Sequence, residues 1–320
     1  MVASNLTPYA LSGETPYWFR FYGTFAAPLF ISLAGMMVAF AAQRRGFWHF
    51  VRRGILIIAI GAILDTYVWG LVPFLTMDVL YLIGLAMPLT YLFGKVQLAW
   101  RIVITLALFA MTPHMQDFTG YRYAPAAFTI SSGVQFMEVL REIPLAQSWL
   151  VDGWFPVFPW LGVAFAGQLA GTARQRIYSF ANKTVFCIGL FFLAVGIYWW
   201  QTEPIERFAR AGYPDLFYPP TLSFFLVAAG VFMLLFFLVD CTATSRIHLP
   251  FRLYGQCSLI LYVLHSVVIG YYFIPRRASG SLHSWNEFLL DYLYFMGGLL
   301  VVAWCVTLLR GRKAKSYQTP

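Results

Sequence analysis

"SLILYVLHSVVIGYY", Ser258 to Tyr272, is aliphatic and aromatic almost throughout. With its neighbours it is long enough to cross a bilayer core, which takes about 20 residues of helix. Near its middle stands a titratable ring, His265. The apolar run decides the fold class, and the histidine raises the question of chemistry. The whole 320-residue chain follows the same pattern, with 60% hydrophobic, 19% aromatic and only 11% charged residues. A soluble domain of this length has no interior large enough for that apolar surface, so the solvent is lipid. Lipid offers backbone amides no partner, and the runs are too continuously apolar for the dyad alternation of an outer-membrane barrel. The expected fold is therefore all-α, a polytopic transmembrane helical bundle.

Nine spans are predicted, at about 19–42, 52–71, 73–94, 98–113, 155–173, 183–201, 220–240, 254–274 and 286–309. Most connections are short; 114–154 and 202–219 are the long ones. Within the first of these, "GVQFMEVLREI" (133–143) puts Phe136, Leu140 and Ile143 on one helical face, the pattern of a short helix lying on the membrane surface.

The formal net charge of +9 does not point to nucleic acid, because the positive residues sit in short loops between apolar runs. Alternate connections and the tail carry 15 of the 22 Lys and Arg residues. By the positive-inside rule that side is cytoplasmic, which puts the C-terminus inside and the N-terminus outside. The reading divides the chain into an extracytoplasmic leader (1–18), a transmembrane domain (19–309) and a basic cytoplasmic tail (310–320). The expected location is the cytoplasmic membrane of a bacterium. No cleavable signal is predicted, since the first 16 residues lack a basic n-region. An N-out start is ordinary only when another helix precedes it, so the chain is expected to lack one helix. Cys187, Cys241, Cys257 and Cys305 have no CxxC spacing and read as small apolar-run residues, without disulfide or zinc.

An ionisable residue inside a span is costly and by default functional. His265 lies about nine residues, or ~13 Å of helical rise, below the outer end of its helix. It reads either as a general base or substrate hydrogen-bonder, or as a packed ring bonded to a neighbouring helix. Asp78 in "FLTMDVLYLIG" and Asp65 in "ILDTYVWG" lie near the outer ends of their spans, suited to an outer cavity shared with His265 or to plain hydration. Asp240 reads as solvated, and Asp291 as a charge favouring the start of the last helix. Arg44, Arg45, Arg52 and Arg53 in "QRRGFWHFVRRG" read as topology signals, or as phosphate binders beside a helix mouth. In "WFPVFPWLGVAFAGQLAG" (154–171) the prolines suit a helix start and the glycines close packing. Trp160 there faces a substrate passage or joins an interfacial belt. No Walker, Rossmann, zinc or GxSxG motif is present.

Several of these stretches together resemble one family. "FAAPLFISLAGMMVAFAAQRRGFWHFVRRGILIIAIGAIL" is similar to the second helix, basic loop and third-helix start of the heparan-α-glucosaminide N-acetyltransferase-like membrane proteins. "FLTMDVLYLIGLAMPL" resembles their next span, "FPVFPWLGVAFAGQLAG" their Pro-Trp-Leu-Gly helix, and "YGQCSLILYVLHSVV" their late Gly, Ser-Leu, Tyr and His motif. The resemblance runs from about residue 19 to 309. Two departures stand out: no first helix with an Asp-x-x-Arg-Gly motif is present, and Asp78 replaces a glycine common in that span.

The resemblance implies a transmembrane acyltransferase that passes an acyl group, typically acetyl, from cytoplasmic acyl-CoA to a sugar amine or hydroxyl on the other side. The residues themselves then offer His265 as candidate base or acceptor orienter with Asp78 as its partner, although no family role carries over to Asp78; Asp65, Trp160 and Tyr262 near the acceptor; and the four arginines at the donor pyrophosphate. Acyl-CoA enters as a substrate, with no tightly bound cofactor or metal. Membrane lipid and a sugar or glycan acceptor are the other expected partners, and homo-oligomerisation stays open. Three alternatives also stay open: an acyltransferase-three type O-acyltransferase, a proton-coupled carrier of a sugar or lipid-linked substrate, and a non-catalytic homologue. "VRRGILIIAIG" lacks the Arg-Arg-x-x-Arg-x-x-Pro run of the first alternative. No internal repeat supports the second.

Overall fold

A computed structural model describes residues 1–121, 145–177, 179–203, 220–280 and 282–316. The surface helix expected at 133–143 lies outside them. Among the described residues, seven helices are long and apolar enough to cross a membrane: Tyr17–Ala41, Phe47–Trp69, Leu98–Thr119, Lys183–Thr202, Leu222–Cys241, Ser258–Ala278 and Trp285–Arg310. The pair Leu145–Asp152 and Val157–Arg176, bent by 49°, makes an eighth if it counts as one span. The chain is thus an integral membrane protein.

The expected span 73–94 differs most. Its helical part is only Val79–Phe93, 15 residues long, about 22 Å at the helical rise and short of a hydrocarbon core. The preceding stretch is irregular, because Pro73 cannot donate a backbone bond and Asp78 turns the chain as an extended N-cap. That stretch is tucked inward, with Leu75 and Met77 fully covered. Irregular backbone in a membrane protein needs such cover.

The chain forms two compact units, one of residues 1–23 with those from Thr242 onward, the other from Thr24 to Cys241. The second unit holds α3 (Ala26–Ala41), α4 (Phe47–Leu64), α5 (Val79–Phe93), α6 (Leu98–Thr119), α7 (Val157–Arg176), α8 (Lys183–Thr202) and α9 (Leu222–Cys241). Its main seams are α3 on α7, α4 on α5 and α8 on α9. Small residues make the first seam, where Gly35 lies against the Ala164 backbone and Gly167 against that of Ser32. Without a hydrophobic force between helices in lipid, backbones this close maximise dispersion contact. At the centre Trp160 is fully buried against Phe155 and Phe225.

Asp240 departs from the solvated residue expected. Its side chain is 13% exposed and pairs with Arg174 at 3.3 Å. It also accepts from the Phe180 N–H at 2.6 Å and the Ser179 hydroxyl at 3.3 Å, so it closes the α7–α8 connection onto the end of α9. Asp240→Ala strands the buried Phe180 amide and the Arg174 charge. The expected cost is about 2 kcal/mol, checked by thermal unfolding in detergent.

The first unit contains α1 (Val2–Ala10), α2 (Tyr17–Thr24, of which its last residue passes to the other unit), α10 (Leu249–Gln256), α11 (Ser258–Val268), α12 (Ile274–Ala278) and α13 (Trp285–Ser316). No element was expected before residue 19, yet α1 buries Ala3, Leu6, Thr7 and Ala10 on one face. Its end is pinned by backbone bonds between His283 and both Ala10 and Ser12, each 2.9 Å, and by Arg277 donating to the Pro8 carbonyl. Burial raises the pKa of Tyr9 on the same helix, and nearby Arg277 opposes that rise. Asp291 does not start the last helix, since α13 begins at Trp285; it lies 2.7 Å from His283 instead.

Candidate functional site

His265 sits on α11 with 1% of its surface exposed. Ser258–Val268 is helical because its apolar residues suit lipid and its neighbours, and the ring falls on the face that also buries Leu261, Tyr262 and Ser266. Nδ1 lies 3.1 Å from the Leu261 carbonyl oxygen, and Nε2 lies 3.0 Å from Nδ2 of Asn5. A carbonyl only accepts, so the proton belongs on Nδ1. Nε2 then holds a lone pair, and the Asn5 amide donates to it. The Tyr262 ring meets the imidazole edge-on, with centroids 5.0 Å apart. The histidine is therefore both packed and chemically equipped: a fixed tautomer whose basic nitrogen is covered by one neutral amide.

Sequence reasoning missed Asn5. A signal was present, since Ala3, Leu6, Thr7 and Ala10 recur at helical spacing.

The second unit carries a separate acidic cluster. Asp65 opens the π-helical turn Asp65–Trp69, which ends at Gly70 in the left-handed region with φ 64°. Asp65 is buried and accepts a hydrogen bond from the Tyr81 hydroxyl. Asp78 at the head of α5 interacts with it electrostatically, and the Val79 and Leu80 amides face the Asp78 carboxylate. Asp65 and Asp78 are thus brought together, with Tyr81 as the member that sequence reasoning missed.

Residues 71–78, which lead into Asp78, are held from the turns Leu145–Asp152. Ser148 donates to the Leu75 carbonyl and the Trp149 indole to that of Phe74, both at 2.7 Å. Trp149 also stacks on Tyr81, 6.1 Å between centroids. Phe74 has φ 68°, a left-handed conformation costly for a bulky residue. Such strain persists where surrounding contacts over-determine it, and it gathers at functional sites. Two carboxylates and a phenol beside strained backbone suit the holding of a hydroxyl or amine. Tyr81→Phe removes the recorded side-chain donor to Asp65. It is expected to cost about 1–3 kcal/mol, read as a lower unfolding temperature in detergent.

The remaining expected residues divide cleanly. Arg44, Arg45, Arg52 and Arg53 are exposed, at the end of α3 and the start of α4. Trp160 is a core residue with no surface exposed, which excludes the interfacial-belt reading. Arg101, counted in the sequence only as a positive-side charge, is buried to 7% exposure.

A family model described as heparan-alpha-glucosaminide N-acetyltransferase, catalytic, matches residues 5–200. The match takes in Asn5, the four arginines, Asp65, Asp78, Tyr81, Arg101 and Trp160, whereas Tyr262 and His265 lie beyond it. No curated protein and no solved structure matches the chain. With more than half of its 320 residues covered, the chain belongs to the heparan-alpha-glucosaminide N-acetyltransferase catalytic family.

Proposed function

We propose that the protein transfers an acyl group, typically acetyl, from acyl-CoA to an amine or hydroxyl of a sugar or glycan across the membrane. Family membership supports the transferase class. The observation that carries the chemistry is the Nε2 lone pair of His265, on the buried face of its helix and hydrogen-bonded by the Asn5 amide. In the reaction, the acceptor's amine or hydroxyl displaces the Asn5 amide from Nε2 and attacks the thioester carbonyl. Nε2 takes the acceptor's proton, the C–S bond breaks, and the proton passes to the departing CoA thiolate. Asn5 orients the ring before the acceptor arrives, and Tyr262 walls it.

Asp65 and Asp78, with Tyr81, make a separate polar cluster in the other unit that suits a hydroxyl or amine. Arg44, Arg45, Arg52 and Arg53, exposed on the face that the charge bias marks as cytoplasmic, attract the donor's phosphates. The bilayer is then a cytoplasmic membrane, with the C-terminus on the donor side. Purified protein incubated with acetyl-labelled acetyl-CoA and a panel of amino sugars and glycans tests the proposal. Label appearing on the acceptor, or released by donor hydrolysis, supports it. Acceptor uptake into proteoliposomes with no transfer would instead make the protein a carrier.

A further inference from the structure

Arg101 does not behave as a topology signal should. Such an arginine extends along the helix and keeps its guanidinium in water or at the headgroups. Arg101 instead turns inward near the start of α6 and is covered to 7% exposure. Its two recorded side-chain bonds both leave from Nη1, to Gln168 Oε1 and Thr172 Oγ1 on α7, each 3.2 Å. Nε, on the other edge of the fork, is buried with no hydrogen-bond partner among the described residues.

The charge is uncompensated as well. Among the described residues the ion pairs are Arg174 with Asp240 and His283 with Asp291; no carboxylate pairs with Arg101. The charged neighbour it feels is Arg176, another cation. A buried guanidinium beside a like charge is unfavourable by itself, and removing a counter-charge from such a site is strongly destabilising. Gln168 and Thr172 are neutral, so their role is to aim the guanidinium by holding Nη1, while Nε keeps an unused donor.

We propose that Arg101, aimed by Gln168 and Thr172 and aided by Arg176, binds a phosphate group. The unused Nε donor calls for an acceptor, a phosphate oxygen supplies one together with the missing counter-charge, and two cations in each other's field suit a group carrying more than a single negative charge. The site lies at the α6–α7 seam, apart in sequence from the exposed arginines at Arg44 to Arg53. The phosphate comes either from the donor, which rests on the acyltransferase reading, or from an anionic lipid headgroup.

Binding of CoA and of inorganic pyrophosphate to detergent-purified protein, by calorimetry, tests the first source. Thermal stabilisation in phosphatidylglycerol against phosphatidylcholine nanodiscs tests the second. Arg101→Lys keeps the charge but loses the fork, so it weakens the relevant ligand by about tenfold or more. Thr172→Val removes one aiming bond and weakens the same ligand to a lesser degree. Loss of CoA and pyrophosphate binding assigns the site to the donor, and loss of only the phosphatidylglycerol effect assigns it to lipid. If both variants match wild type with every ligand, or if the wild type binds none of them, the proposal is overturned. Absence of acetyl transfer in the wild type sinks the acyltransferase reading, while the comparison of ligand binding between wild type and Arg101→Lys still stands.

Discussion

His265→Gln lowers acetyl transfer by about 10²–10⁴-fold, the contribution of a well-placed general base, and leaves acetyl-CoA binding unchanged. Glutamine is the informative replacement. Its amide fills similar space and still bonds to Asn5 and the Leu261 carbonyl, but it has no basic nitrogen. A fold held only by packing at this point would tolerate the exchange, and transfer would continue. Wild-type activity falls toward acid pH, because a proton on Nε2 consumes the lone pair that accepts the acceptor's proton. The residual activity of the variant lacks that acid limb. Rates of the two proteins across the pH range, with equal binding of acetyl-CoA as the control for folding, decide the matter. Transfer by His265→Gln at the wild-type rate would remove His265 from the chemistry.

Gly35→Leu is expected to prevent assembly of the α3–α7 seam. A Cβ at Gly35 collides with the carbonyl group of Ala164, which belongs to helix backbone and has no rotamer to change. The two helices must separate, and the loss extends to the neighbouring contact of Gly167 with Ser32. Forced overpacking of a well-fitted core costs about 1–3 kcal/mol and sometimes more; a clash with main chain belongs at or above the top of that range. Gly297→Ala is the matched control, since nothing lies within 4 Å of a Cβ placed there. The expected result is a monodisperse control with an unfolding temperature at or above wild type, against a Gly35→Leu protein that aggregates or unfolds far below it. Equal unfolding temperatures for the two would mean that the seam is not as close as described.

The candidate site was legible unevenly, and for physical reasons. His265, Asp65 and Asp78 stood out because lipid makes an ionisable group expensive wherever it appears in an apolar run. Their neighbours did not stand out. Asn5 and Tyr81 are ordinary residues whose importance comes from meeting His265 and Asp65 across 260 and 16 positions of sequence. Arg101 was visible, but as one of several positive residues near a span end. A charge count cannot tell a guanidinium in water from one turned inward onto Gln168 and Thr172. Asp240 was misread for the same reason, as its burial depends on Arg174, Ser179 and Phe180 folding back over it.

What the sequence determined by itself is the solvent, and with it the helical class, because apolar runs of this length satisfy their backbone bonds only within themselves. The order and approximate limits of most helices follow from the same rule, which acts locally along the chain. Tertiary structure alone decided that residues 71–78 fold inward rather than extend α5, that α1 exists and covers His265, and that Nε of Arg101 is left without a partner among the described residues. Those outcomes depend on contacts between distant segments, such as Ser148 with Leu75 and Asn5 with His265. Their energies enter only once the helices have packed.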